Sequence, residues 1–399
     1  MSSGYELHQK LRTKAVRQLK KKDYEGAINS LYEGSRQLLQ EKEQGSGCDL
    51  AVYLLDVYQQ SQTKSTQESR KKIIDLIQLS GNDFWRKKVI DAAIKWSISV
   101  TNTPSGDGYL RLAIAEILSK DGSFHVSEPH FIVACSPPPG LATSGELFPE
   151  HAPKSFALMM IDWLAAYAGE VVKEHGGNAA TIERLGAGAF ALRGLLPLLL
   201  SRALTASRAF LSIFTSRIVQ KHADILLSVR PNPKPFSPPA GMAKPPGDAQ
   251  QLYLTVDPVL NFAQMTLAMA ATAVEHKKKT QGSRVPDALR DTWISAVQQF
   301  EKETGDEEGY EYFDQVLPDL SKIYFDIPPP RGGNANFMQD MLGSLMGGGG
   351  SSGSITQTTI VRQAPAPTLP SKVIEAAKSG AAAGTAQPAE AGEEDLDLD

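Results

Sequence analysis

Few residues in this sequence have the types and spacing that chemistry demands. Gly186-Ala-Gly188-Ala-Phe-Ala191 fits the G-x-G-x-x-A pattern, in which bare backbone approaches a pyrophosphate at a helix N-terminus. That use requires a strand ahead of the glycines and an acid about 20 residues beyond them. The preceding Ala-Ala-Thr-Ile-Glu-Arg-Leu is helical in character, and no acid lies between Glu183 and Asp224. A closely packed or kinked helix is the better reading. His125 and His130 stand five apart, but no further His, Cys or acid arrives at metal-ligand spacing. There is no P-loop signature, H-E-x-x-H, C-x-x-C or G-x-S-x-G elbow. Two cysteines, Cys48 and Cys135, exclude a disulfide framework and a Cys-rich zinc site, and fit a reducing compartment. The expectation is a chain with no catalytic residue, metal or cofactor.

What remains are surfaces. The first 22 residues hold seven Lys/Arg and one acid. Lys10, Lys14, Arg17 and Lys21 fall at i, i+4, i+7 and i+11, which places them in one ridge along a helix. A charge run is ordinarily a solvated face; the sharper reading is a docking strip for an acidic partner. Further on, Phe337, Met338, Met341, Leu342 and Leu345 form a helical apolar stripe that must pack back on the body or take a partner. The sequence ends Glu393-Glu-Asp-Leu-Asp-Leu-Asp399, a solubilising acidic end or a short linear motif.

These surfaces need elements to carry them. The 399 residues are 41% hydrophobic and only 7% aromatic, and Ala, Leu, Lys, Gln and Glu dominate long stretches, which favours helix. The net charge is −4, all of it in residues 347–399, so the body is neutral and nucleic-acid coating is not expected. Leu7, Leu11, Ala15 and Leu19 repeat at helical spacing, and Asp23 is a plausible cap for the helix carrying Tyr24, Ala27, Ile28 and Leu31. Gly45-Ser-Gly47 reads as a break, with Asp49 capping a helix over 50–60. Helices follow over 71–79, 84–100, 107–118 and 124–134. Trp85, Trp96, Trp163 and Trp293 sit on apolar faces and read as core. Lys22-Asp-Tyr-Glu-Gly-Ala resembles the tight inter-helix turn of tetratricopeptide-type repeats, and Asp121-Gly-Ser-Phe echoes it, though no strict 34-residue period runs through the chain.

The predicted organisation is helical repeats over 1–135, a Pro/Gly-rich loop over 136–153 and a second set of helices over 154–346. A Pro-rich insertion at 229–250 interrupts the second set, and a disordered acidic tail covers 347–399. Leu252-Tyr-Leu-Thr-Val256 is the one short β-like run, so a hairpin or loop is expected near 251–257. The apolar runs Leu195–Leu200 and Val259–Val274 are interrupted by Pro197 or by Asn261, Gln264 and Thr266, and read as buried helices of a soluble protein. No apolar h-region follows Met1, so no secretory signal is expected.

Several segments together resemble the helical adaptor family of the GET/TRC pathway, Golgi-to-ER traffic protein four. They are Tyr5-Glu-Leu-His-Gln-Lys-Leu-Arg-Thr13, Gly45 to Tyr58, Ala93-Ile-Lys-Trp-Ser97, Asp257-Pro-Val-Leu-Asn-Phe262, Ile323-Tyr-Phe-Asp-Ile-Pro-Pro329 and Asn336-Phe-Met-Gln-Asp-Met-Leu-Gly-Ser-Leu-Met346. The resemblance implies an all-α, TPR-like α-solenoid of stacked antiparallel helix pairs. It implies a non-catalytic cytosolic scaffold that delivers tail-anchored proteins to the endoplasmic reticulum without entering the membrane. Its N-terminal helices would bind a dimeric, arsenite-transporter-like targeting ATPase. Its C-terminal half would clasp the N-terminal domain of a ubiquitin-like protein, which recruits the substrate-bearing chaperone.

Carried onto this chain, the ATPase side would use Lys10, Lys14, Arg17, Lys20 and Lys21, with Asp49 as an acidic position tuning the ATPase. The clasp would use Leu252, Tyr253, Leu254, Val256, Leu260, Phe262, Tyr324 and Phe325, closed by the 337–345 stripe. The family usually carries a further basic helix ahead of the Tyr5 segment, so a late start codon or a reduced ATPase face is the matching expectation. The competing reading is a helical-repeat structural subunit of a large cytosolic assembly.

Overall fold

The computed structural model of the chain describes residues 4–137, 148–240, 242, 251–305 and 310–328. The 337–345 stripe and the 347–399 tail lie outside the described residues. Thirteen α-helices run in chain order among them. The first seven are α1 Gly4–Lys20, α2 Tyr24–Gln40, α3 Gln44–Gln60, α4 Gln67–Leu79, α5 Phe84–Thr101, α6 Gly108–Lys120 and α7 Phe124–Cys135. The longer α8 Ala152–His175, α9 Ala179–Leu200, α10 Leu204–Lys221 and α11 Pro258–Lys279 follow, then α12 Asp287–Thr304 and α13 Glu311–Phe325. Neighbours in sequence pack on one another from α1 to the last helix, the stacking of an α-solenoid, as the sequence led one to expect.

Helix starts are fixed by short polar side chains. Asp23 accepts from Gly26 N, Asp83 from Trp85 N and Arg86 N, and Asp107 from Tyr109 N and Leu110 N. Four helix pairs then share one three-residue turn. Lys22, Lys42, Gly122 and Arg202 each take positive φ at its centre. The next N–H reaches back five residues, Asp23 N to Gln18 O, Glu43 N to Leu38 O, Ser123 N to Leu118 O and Ala203 N to Leu198 O. This six-to-one closure satisfies the last carbonyls of one helix while aiming the next one back. The turn read at Lys22 and at Gly122 therefore recurs twice more, where the sequence gives no glycine to mark it.

Three expectations are corrected in the first half. Gly45 and Gly47 do not break a helix: both lie in the first turn of α3. A Cβ on Gly47 would stand 2.6 Å from Leu39 Cγ and 3.1 Å from Leu39 N, so the glycine is there for the close approach of α2. Ser35 Oγ donates to Gly47 O at 2.7 Å across that contact. Asp49 accordingly sits one turn into α3 and caps nothing. Trp85 is also not core. Trp96, Trp163 and Trp293 are buried, but Trp85 is 38% exposed beside the more exposed Phe84, with Lys88 Nζ above both rings at 4.7 and 4.5 Å.

The apolar side chains gather into two main cores. One takes Leu31, Leu54, Tyr58, Ile77, Trp96 and their neighbours from α1 to α6. The other takes Phe131, Phe156, Phe190, Phe210, Trp293, Phe325 and others from α6 to α13. The helix α6 serves both, giving Leu110, Ile114 and Leu118 to the first and Leu112 and Ala115 to the second. α7, grouped by the sequence with the first half, contributes Phe131 and Ile132 to the second core. One helix, α8, is long and apolar enough to cross a membrane by length and composition, yet Phe156, Met160, Trp163 and Leu164 bury its inner face.

The glycine pattern at 186–188 lies within α9, and among the described residues no strand precedes it. A Cβ on Gly188 would come within 2.5 Å of Leu260 N. The glycine lets the N-terminus of α11 dock against α9, and Gly188 N donates to Asp257 Oδ2 at 2.8 Å. Asp257 also caps α11 by accepting from Val259 N and Leu260 N. Burial pushes its carboxyl up to about 6, against the opposing pull of those three backbone donors.

Candidate interaction surfaces

The basic ridge forms as the spacing predicts. Lys10, Lys14, Arg17, Lys20 and Lys21 are all exposed along α1 and its following turn. None of the five has an ion-pair partner among the described residues. Arg12, on another side of α1, behaves differently: it donates to Asp49 Oδ2 at 2.6 Å and lies over the Tyr53 ring. His8 Nε2 meets the same carboxylate oxygen at 2.7 Å. Asp49 is thus a tie between α1 and α3 and not a free acid beside the ridge. Between α1 and α2 runs a shallow groove of about 280 Å³. Leu7 and Leu11 form its floor, Lys14 one edge, and Glu33, Arg36 and Gln40 the facing wall.

The second surface is a β-ribbon. The run from Gln251 pairs antiparallel with two stretches, one of which, Lys234–Pro235, lies inside the segment that the sequence reads as a disordered or polyproline insertion. Its start, Gln251–Leu252 (β2), pairs antiparallel with Lys234–Pro235 (β1). Its continuation bridges Leu226 to Thr255, with Leu227 N donating to Leu254 O and Val256 N to Ile225 O, each at 2.9 Å. The 229–250 insertion is therefore in part a structural arm, and the hairpin is wider than 251–257.

Helix α11 then saturates the ribbon's backbone. Gln264 accepts from Tyr253 N and donates to Tyr253 O, while Asn261 does the same for Thr255. Asn232 donates to Leu254 O and accepts from Leu254 N. With 253–256 already paired, a partner cannot add a strand there. It must bind side chains. Val256 is exposed, Tyr253 and Leu254 are half-buried, and Leu252 is nearly closed off. Leu227 and Val229 are as exposed as Val256, and sequence reasoning missed both because prolines surround them.

The remaining residues assigned to the clasp lie in the core. Leu260, Phe262, Tyr324 and Phe325 are all buried. Phe262 stacks on Phe300 with ring centroids 4.3 Å apart, and Trp293 on Phe325 at 4.6 Å. Tyr324 Oη donates to Leu199 O at 2.7 Å, tying α13 to α9. These side chains hold up the ribbon and present no surface of their own. Elsewhere in the second half, Arg193 on α9 pairs with Glu128 on α7 at 2.8 Å, lying over the Trp163 ring, with both side chains buried. Among the described residues, no group of three His, Cys, Asp or Glu is placed to hold a metal ion.

Comparison with known proteins agrees with this architecture. A family model described as Golgi to ER traffic protein 4 matches residues 21–346. The Schizosaccharomyces pombe Golgi to ER traffic protein 4 is 32% identical over 130 residues, 32% of this chain and 42% of that protein, so the match spans less than half of that relative. The Aspergillus fumigatus protein of the same name is 24% identical over 370 residues, 89% of this chain and 88% of its own. The crystal structure of C. therm. Get4 superposes with a TM-score of 0.60 and 25% identity, covering 88% of this chain and 91% of that one. With the family model matching most of its length and the same helical solenoid in a solved relative, the chain belongs to the Golgi to ER traffic protein 4 family.

Proposed function

We propose that this protein is a non-catalytic cytosolic adaptor in Golgi-to-ER traffic, bridging a targeting ATPase and a ubiquitin-like partner in the delivery of tail-anchored proteins to the ER. The observation that carries it is the presence of two chemically unlike surfaces on two cores of one scaffold. The first half offers five cations on α1 and its following turn, none with an ion-pair partner among the described residues, which give orientation and on-rate to an acidic partner more than raw affinity. The second half offers an apolar rim, Leu227, Val229, Leu254 and Val256, on a ribbon whose backbone is already paired. The ATPase belongs on the first surface and the N-terminal domain of the ubiquitin-like protein on the second, with the chaperone reached through that protein.

Co-purification tests this with the full chain and two variants, Lys14→Glu/Arg17→Glu and Leu227→Asp/Val256→Asp. The first variant should lose the ATPase and keep the ubiquitin-like domain; the second should do the reverse. Retention of both partners by both variants would overturn the assignment of the two surfaces, and failure of the full chain to bind either partner would remove the adaptor reading and leave a structural subunit of some other assembly.

A further inference from the structure

The basic ridge has a candidate occupant within the same chain. We propose that the acidic segment Glu393–Asp399 docks on the α1–α2 groove and masks the ridge. Three observations lead there. The segment puts five acids in seven residues and sets Leu396 and Leu398 between them. The groove has an apolar floor of Leu7 and Leu11, bordered by Lys14, with Lys10, Arg17 and Lys21 continuing the same edge, and Glu33 on the facing wall is offset by Arg36 at 3.9 Å. An extended segment alternates its side chains, so Leu396 and Leu398 share the face toward the floor and Asp395, Asp397 and Asp399 share the opposite one, where the long Lys and Arg side chains of the edge meet them.

The alternatives within the molecule are poorer. The basic end of α11 is nearer in sequence, but Lys277 is held by Asp326 at 2.6 Å and Lys279 by Glu275 at 3.4 Å. Lys88 is engaged over the Phe84 and Trp85 rings. The ridge instead sets Lys10, Lys14, Arg17 and Lys21 in line along one face, none with an ion-pair partner among the described residues. Reach does not limit the contact, since residues 329–392 span up to about 230 Å when extended. Being on the same chain, the segment meets the ridge at a high effective concentration, so a weak contact suffices to occupy it.

Docking of this segment does not depend on what else binds the ridge. The consequence does, and rests on the adaptor reading: an acidic partner must displace the segment, so the chain screens its own ATPase surface until a competitor of higher charge or better fit arrives. This makes the acidic end a regulator of on-rate, with no part in holding the fold.

Carbodiimide crosslinking of the full chain tests the contact without any partner. This reagent joins carboxylates to amines only where they touch. Mass spectrometry should find Glu393, Glu394 or Asp395 joined to Lys10, Lys14 or Lys21 within one chain. The products should vanish at 1 M salt, where the screening length falls to about 3 Å from about 10 Å at 0.1 M. Mixing isotope-labelled and unlabelled chains separates links within a chain from links between chains. Links to Lys88 or to Lys277–Lys279, links only between chains, or no links at low salt would each overturn the proposal. A second measurement uses a full chain with Glu393, Glu394, Asp395, Asp397 and Asp399 changed to their amides. A free peptide of residues 390–399 should bind this variant at least threefold more tightly than the native chain. Equal affinity would overturn the proposal as well. Neither result bears on whether the ATPase binds, so failure here and failure of the adaptor reading remain distinguishable.

Discussion

The two halves of this solenoid solve the same stacking problem with different materials. In the first, helices of 13–18 residues meet through aliphatic side chains, and polar ties such as Arg70–Asp107 and Asp49–His8–Arg12 lock their relative positions. In the second, helices of up to 24 residues bury a chain of stacked aromatics. The surfaces follow the materials. Short helices with charged outer faces leave a ridge of cations in water, whereas long apolar helices support a ribbon with an apolar rim. A ridge of cations attracts at a distance and is screened by salt, whereas an apolar rim attracts only on contact and is not.

The contrast can be broken by substitutions of decreasing consequence. Trp293→Ala removes the centre of the aromatic stack and should cost about 3–5 kcal/mol by urea unfolding. Hydrogen exchange should then quicken in α11 to α13 and stay unchanged in α1 to α4; uniform quickening would mean the cores are not separable. In the first half, the polar ties are tested by Arg70→Ala. It leaves Asp107, whose side chain is fully buried, with only Ser65 and its capped backbone donors, a cost of about 3 kcal/mol.

Asp257 supplies a test in pH. Its carboxyl sits near 6 in the fold and near 3.8 when unfolded, so the folded chain holds the extra proton between those values. Its contribution to stability is complete below 3.8 and is lost as pH rises through 6. Asp257→Asn sets an amide N against Gly188 N–H, a penalty that does not vary with pH. The stability of the Asn chain relative to the native one should therefore improve by up to about 3 kcal/mol between pH 4 and pH 7. A flat difference would show that the three N–H donors keep the carboxylate charged throughout. Lys42→Gly should have the smallest effect. It relieves a left-handed backbone position and should stabilise the chain by about 0.5–1 kcal/mol, read as a shift in urea midpoint.

Much of the helical pattern was legible because local signals set it. Asp23, Asp107 and the apolar spacing of each helix act within one or two turns, and the structure follows them. The errors all involve contacts distant in sequence. Gly47 looked like a breaker because its reason, the side chain of Leu39, belongs to the neighbouring helix. Asp49 looked like a cap because its true partners, His8 and Arg12, lie some 40 positions away. Phe262 and Tyr324 looked available to a partner because apolar content does not say which way a side chain points. Leu227 and Val229 were hidden by the prolines beside them, whose effect is to end helices and not to prevent a ribbon. The ridge was legible because it is defined by one helix alone.

If the charged and the apolar surface bind by different physics, salt separates them. The direct measurement is the dissociation constant of the full chain for the targeting ATPase and, separately, for the ubiquitin-like domain at 50 and 500 mM salt. The ATPase affinity should fall more than tenfold across that range, while the affinity for the ubiquitin-like domain should change less than threefold. Equal salt dependence for the two partners, or a stronger one for the ubiquitin-like domain, would contradict the assignment of the charged and apolar surfaces.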